Sequence, residues 1–236
     1  MRKRDTTAPA NPTKVHCAVK PLNEVFQLTV NGRTIRSAEA TQAAILDAAT
    51  EEFSAHGFSG ARVDSIAVRA KTNKRMLYHY FIDKAGLYLA VLERMFAEVL
   101  VAEKGLNLKS KEPEDGIRQL TLFIWNYVLE HPHFVRLVST ENKLKAEHLK
   151  KSEKIPHIHS HFVEELTDVL RRGIEKGVFR QDINPSMIHL TILAMSFYYI
   201  SNKHTVAVSF GHDTSSPEAT TAWGEHIVAT ILASLK

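Results

Sequence analysis

The chain is 236 residues long, enough for one large domain or two modest ones, and its hydrophobic share of 44% is ordinary for a water-soluble globular protein. No apolar run reaches the ~18 residues needed to span a bilayer, and no apolar segment of the secretory kind follows the charged start Arg2-Lys3-Arg4. The lone cysteine, Cys17, excludes an intrachain disulfide framework and any multi-cysteine metal site, and a cytoplasmic location is the simplest reading.

The net charge of +4 is unevenly placed. Residues 1–40 carry seven bases (Arg2, Lys3, Arg4, Lys14, Lys20, Arg33, Arg36) against three acids (Asp5, Glu24, Glu39), while the remaining 196 residues hold 23 of each sign. A basic tail ahead of a neutral body suits attraction to a polyanion. A tail that only aids solubility accounts for the same charge. Residues 1–36, with Pro9, Pro12 and Pro21 among Thr, Asn and Lys, read as mostly disordered. Within them Val25 to Val30 alternates like a strand before an Asn31-Gly32 turn, with no partner strand evident.

From Ser37 onward the period is helical. A first helix runs from about Ala38 to His56, with Ile45, Ala49 and Phe53 on one stripe and Gly57 placed to stop it. A short second helix, Val63 to Ala70, puts Val63, Ile66, Ala67 and Ala70 on one face. A third begins after the N-cap Asn73 and ends near Phe81, and a fourth follows the N-cap Asp83 as far as Lys104. After a polar break at 105–112 come helices over 114–130 and, bent near Ser139 and Thr140, over 134–152. Pro156 reads as a break before a helix from His159 to Lys176, which Gly177 stops. Asn184-Pro185 opens an apolar helix to about Lys203, and a last helix runs from Pro217 to Leu235. No βαβ alternation appears, so the fold class is all-α.

The stretch Val63 to Lys84 has the proportions of a helix-turn-helix. With Leu77 at the centre of the third helix's buried face, Tyr80 and Phe81 fall on the same side. Arg75, Tyr78 and His79 point outward and Lys74 sits at the margin. Such a face can enter the major groove of DNA, with arginine forking onto guanine. The same aromatic residues could instead form a packing cluster.

The residue run goes further. Ile45, Ala48, Ala49, Phe53, Gly57 and Phe58, then Ile66-Ala67, then Leu77-Tyr78-His79-Tyr80-Phe81 with Lys84, agrees in residue type and gap with one known pattern over about residues 41–92. It resembles the DNA-binding domain of the tetracycline-repressor family. That resemblance implies an all-helical homodimer with an N-terminal helix-turn-helix domain and a larger, variable domain for ligand binding and dimerisation. It divides the chain into a tail (1–36), a DNA-binding domain (37–92) and a ligand-binding and dimerisation domain (93–236). It places base and phosphate contacts at Lys74, Arg75, Tyr78, His79 and Tyr80, a phosphate contact at Lys84, and a backbone-facing position at Arg62. Two residues depart from the family pattern: Lys71 stands where the turn carries glycine, and Ala61-Arg62 replaces a threonine–serine pair.

The partners this implies are double-stranded DNA and a small-molecule effector. In the second half Phe123, Trp125, Tyr127, Phe134 and Phe162 are candidates to line a pocket, with Met187, Met195, Phe197 and Tyr198 from the apolar helix, though plain core packing accounts for most such residues. Glu141 and His148, seven apart and so on one helix face, could hold a polar ligand together with Asn142. The final two helices, through Met187 to Ile200 and through Trp223, Ile227, Ile231 and Leu232, are the candidates for the dimer contact.

His157, His159 and His161, with His131 and His133, invite a metal reading. Alternate spacing on a helix would splay them, so no metal site and no cofactor are expected. No nucleophile motif, glycine-rich phosphate loop or catalytic carboxylate pair speaks for an enzyme. The function expected is a ligand-responsive regulator, first a repressor of a palindromic operator. An activator, a metal-responsive regulator of the same fold and a non-specific DNA-binding protein remain as alternatives.

Overall fold

The computed structural model describes residues 28–30, 33–35, 37–211 and 213–236, the side chains of residues 28–30, 33–35 and His159 excepted. The reading of residues 1–36 as a disordered tail lies outside these residues apart from two short strands. β1 (Leu28–Val30) and β2 (Arg33–Ile35) pair antiparallel, with Leu28 opposite Ile35 and Val30 opposite Arg33. The strand expected before residue 31 therefore has a partner. Three residues are too few for β2 to announce itself by alternation.

Among the described residues ten α-helices follow, and the fold is all-α beyond the hairpin. α1 (Ala38–Gly60) is interrupted at Gly57, whose φ of 66° and ψ of 177° only glycine adopts without strain. α2 (Val63–Arg69), α3 (Lys74–Phe81) and α4 (Lys84–Lys104) complete a first core. Ile45, Ala49 and Phe53 meet Ile66, Leu77, Leu87 and Leu92 there, all buried, with Leu137 from a later helix entering the same cluster. Fully burying a side chain of this size contributes about 1.5–3 kcal/mol, which explains how helices of seven and eight residues persist.

The second core gathers α5 (Pro113–Glu130), α7 (Lys154–Glu175), α8 (Pro185–Ser201) and α10 (Pro217–Ser234). Trp125, Leu166, Ile192, Ile227 and Ile231 lie at its centre. α4 crosses from the first core to α7 in the second, and α6 (Pro132–Lys143) packs against α1.

Three expected boundaries move. The helix expected over 134–152 ends at Lys143, and the chain turns through left-handed Lys145 and Ala146 into one 3-10 turn, Leu149–Lys151. Pro156 does not break the chain but sits in the first turn of α7, where the missing amide would have no helical acceptor. The apolar helix, expected to reach about Lys203, stops at Ser201, and a separate helix, α9 (Lys203–Phe210), follows where no element was expected.

Candidate DNA-reading surface and effector cavity

The turn between α2 and α3 closes with two hydrogen bonds. Thr72 N–H donates to the Ala67 carbonyl at 3.0 Å and Lys71 N–H to the Val68 carbonyl at 3.1 Å. This is a Schellman closure, whose pivot is a left-handed residue. Lys71 takes that conformation, with φ 53°, so a lysine adopts the backbone that glycine would favour. At the start of α2 no hydroxyl cap exists. Instead the Arg62 amide donates to Oε1 of the buried Glu52 at 3.0 Å, and the Arg62 side chain is exposed.

α3 begins with Asn73 Oδ1 accepting from Met76 N–H at 3.0 Å. Leu77 and Phe81 are buried, as the period requires, while Lys74, Arg75, Tyr78 and His79 are exposed on the opposite face. Tyr80 is half-buried, edge-on to His79 at 5.3 Å and packed on its inner side against the core. Lys74 Nζ pairs with Asp64 at 3.3 Å, an exposed contact that yields readily to a phosphate. Lys84 differs. Its Nζ stands 5.1 Å over the Phe58 ring and donates to the Ser59 carbonyl at 3.4 Å, and partial burial lowers its pKa against the pull of Glu52.

Where α6 meets α1 and α4 lies a buried polar joint. Glu141, at the end of α6, is 1% exposed. Its Oε1 accepts from the backbone N–H groups of His148 (2.7 Å) and Leu149 (3.0 Å), and its Oε2 meets His148 Nδ1 at 3.0 Å. The His148 ring lies 4.4 Å from that of Phe58 and 4.8 Å from that of Tyr88. Glu141 and His148 therefore do not share a helix face: the helix ends between them and the chain folds back so that one caps the other. Tyr88 Oη, also buried, has no hydrogen-bond partner, and burial followed by the Glu141 charge pushes its pKa well above the usual phenol range.

A cavity of about 160 Å³ opens between α4, α5, α6, α7 and α8. Phe123, Tyr127, Phe134 and Phe162 line it, as candidates from the sequence, and Phe96, Val99, Ile158, His189 and Leu193 join them. The His189 ring stacks on Phe162 at 5.6 Å. It is the one titratable imidazole inside the apolar run of α8, where the other polar residues are Thr191 and Ser196, and that contrast was the available clue to it. The remaining candidates lie elsewhere. Glu141 and His148 form the joint just described, and Asn142 is exposed. Met195 packs in the second core, where its carbonyl accepts from Trp223 Nε1 at 3.3 Å, and Trp125 is buried there. Tyr198 and Met187 stand outside on α8, each 62% exposed.

Among the described residues no group of three His, Cys, Asp or Glu side chains is placed to hold a metal ion, and no helix is long and apolar enough to cross a membrane.

Two family descriptions match this chain. That of bacterial regulatory proteins of the tetR family covers residues 45–91, and that of the tetracyclin repressor-like C-terminal domain covers residues 113–231. The HTH-type transcriptional repressor NicS of Pseudomonas putida is 35% identical over 198 residues, which is 84% of this chain and 93% of that protein. The HTH-type transcriptional repressor SCO4008 of Streptomyces coelicolor is 30% identical over 68% of this chain and 79% of its own length. Among solved structures, FadR of Bacillus halodurans superposes with a TM-score of 0.63 at 18% identity, covering 81% of this chain and 94% of that one. The transcriptional regulator SCO4942 of Streptomyces coelicolor gives 0.61 at 23% identity, over 83% and 98%. These two agree with the fold, and the sequence relatives carry the kinship: the chain belongs to the tetracycline-repressor family of helix-turn-helix transcriptional regulators, and is not an enzyme.

Proposed function

We propose that this regulator is a cytoplasmic repressor that binds a palindromic operator as a homodimer and releases it when a small, largely apolar effector enters the α4–α8 cavity. The observation that carries the reading is the division of α3, with Leu77 and Phe81 inward and Lys74, Arg75, Tyr78 and His79 outward. In this reading residues 37–92 read DNA, residues 93–236 sense and dimerise, and the basic residues 1–36 add sequence-independent attraction. Arg75, Tyr78 and His79 face base edges, while Lys74, Arg62 and Lys84 serve phosphates. Tyr80 serves the core and sets the pose of its neighbour His79.

Dimerisation is supported by the outer face of α8, where Met187, Leu190 and Tyr198 are 60–62% exposed at helical spacing. Of the α10 residues expected at the contact, Ile227 and Ile231 are fully buried in the chain's own core, while Trp223 and Leu232 are half-buried. The outer face of α10 instead carries Ala222, His226, Ala229 and Ala233, small enough for close approach of a second copy. A two-fold pairing there sets two recognition helices about one DNA turn, ~34 Å, apart.

The cavity matches about one aromatic ring in size, since an engineered apolar cavity of ~150 Å³ accepts benzene. Its lining is apolar but for Tyr127 and His189, which would orient a single polar group on the effector. Fluorescence anisotropy on the chain's own upstream DNA tests the reading. Arg75→Ala and Tyr78→Ala, with helical content unchanged, weaken binding by roughly 5- to 150-fold each, as for ~1–3 kcal/mol of base contact. Wild-type affinity in both variants overturns α3 as the reading helix.

A further inference from the structure

A second cavity lies farther along the seam between α4 and α7. Glu103, Lys104, Asn107, Lys109, His161 and Glu165 border about 220 Å³, and none of these residues borders the apolar chamber. Where the first cavity is apolar, this one is built around an acid. Glu103 is only 2% exposed, and neither of its carboxylate oxygens has a hydrogen-bond partner. His161 Nδ1, also buried and without a hydrogen-bond partner, stands 3.7 Å from Glu103 Oε2, too far to bond it. Glu165 keeps one carboxylate oxygen 3.3 Å from Lys109 Nζ.

A carboxylate taken out of water without donors is costly. Burial, and then the charge of Glu165, push the Glu103 carboxyl up to about 7, against the opposing pull of Lys104. The site holds unsatisfied acceptors: two carboxylate oxygens and an imidazole nitrogen. The lysines at its border do not supply a hydrogen bond to Glu103: Lys109 is turned to Glu165, and both Glu103 oxygens are left without a donor. An anion would meet the Glu103 charge. A bare metal ion would want three converging ligands, which the described residues do not offer, and would leave most of the volume empty. An alkylammonium brings three N–H donors and a guanidinium five, each with a compensating charge.

We propose that the cavity between the end of α4 and the middle of α7 is a second ligand site, which takes a small organic cation on Glu103 with His161 as an additional acceptor. The site is independent of the apolar chamber. It sits on α4, the helix whose other end belongs to the reading core, so an occupant is placed to act on the same helix as the apolar effector.

Calorimetric titration of the full chain with agmatine and with butylammonium tests this, 1-butanol serving as the uncharged control. At about pH 8 one cation binds per chain and 1-butanol does not. Glu103→Gln weakens binding by at least ~10-fold, as loss of a charge-assisted bond requires, and His161→Phe weakens it in the same direction. Phe123→Ala, in the apolar chamber, leaves it unchanged. Binding falls towards about pH 6 as Glu103 takes up a proton, with Glu165, His161, Lys104 and Lys109 the other charged groups facing it. Glu103→Gln melts no lower than the parent, which excludes unfolding as the cause. No heat from either cation, equal binding by Glu103→Gln, or loss only in Phe123→Ala overturns the proposal. So does zinc binding that requires His161 while the amines give none.

Discussion

Truncating Glu141 to alanine tests the joint that holds α6 against α1 and α4. The carboxylate accepts two backbone N–H groups and meets the His148 ring, all at 2.7–3.0 Å and out of water. Hydrogen bonds to a buried charge contribute about 1.5–3 kcal/mol each, and removing the carboxylate also removes its own desolvation cost. A net loss of about 3–4 kcal/mol follows, within the range for breaking a buried pair. For an ordered chain of this size that lowers the melting temperature by roughly 6–15 °C. Glu141→Gln keeps an oxygen for the two amides and offers its NH₂ to Nδ1, so it costs only about 1 kcal/mol. Because the His148 ring rests on Phe58 and Tyr88, the alanine variant also loosens α6 from the reading core. Its operator affinity then responds less to effector than the parent's does. Thermal denaturation followed by circular dichroism, paired with anisotropy on operator DNA, measures both effects. A Glu141→Ala melting point within about 1 °C of wild type refutes the reasoning, as does a glutamine variant as unstable as alanine.

Four further outcomes follow from the same geometry. Tyr88→Phe deletes a buried hydroxyl that has no partner and raises stability by up to about 1 kcal/mol in urea unfolding, where a loss would mean the hydroxyl is bonded. Lys71→Gly relieves a left-handed lysine worth about 1–2 kcal/mol and gives back about 0.5–1 kcal/mol in chain entropy, so the urea midpoint rises modestly. Gly86→Ala places a Cβ 2.3 Å from the Phe81 carbonyl oxygen, costs about 1–3 kcal/mol, and lowers operator affinity by shifting α3 against α4, which melting and anisotropy report together. Glu103, raised from its ordinary 4.5 to about 7, contributes stability that is complete below about pH 4.5 and lost as pH rises through 7. Unfolding free energies measured from about pH 5 to 8 therefore fall more steeply in wild type than in Glu103→Gln, by no more than about 3 kcal/mol.

Local chemistry was legible in the sequence and reappears in the structure. Asn73, Asp83 and Asn184 cap α3, α4 and α8 with side-chain oxygens 2.7–3.2 Å from backbone N–H groups three residues on. Gly57 breaks the helical geometry where its position said it would. The buried Leu77 and Phe81 follow from a 3.6-residue period, and that period alone turns Arg75, Tyr78 and His79 to the outside. Caps, glycine breaks and amphipathic faces depend on neighbours within about four residues, so a string of letters carries them.

The second half depends on contacts that no such window contains. The run from Lys143 to Lys151 holds no glycine or proline to stop a helix, and it stops because Glu141 captures amides that a continuing helix would have used elsewhere. α8 is apolar on nearly every face, so hydropathy could not tell Ile192, buried in the core, from Tyr198, exposed, or from Leu193, at the cavity wall. Ile227 and Ile231 had the right spacing for a partner chain, yet α5 of the same chain covers them. By itself the sequence determined the all-α class, the helix-turn-helix and its outward-facing side chains. Tertiary structure alone decided which apolar faces became core, cavity or exposed surface, because burial is settled by whichever distant helix arrives to exclude the water.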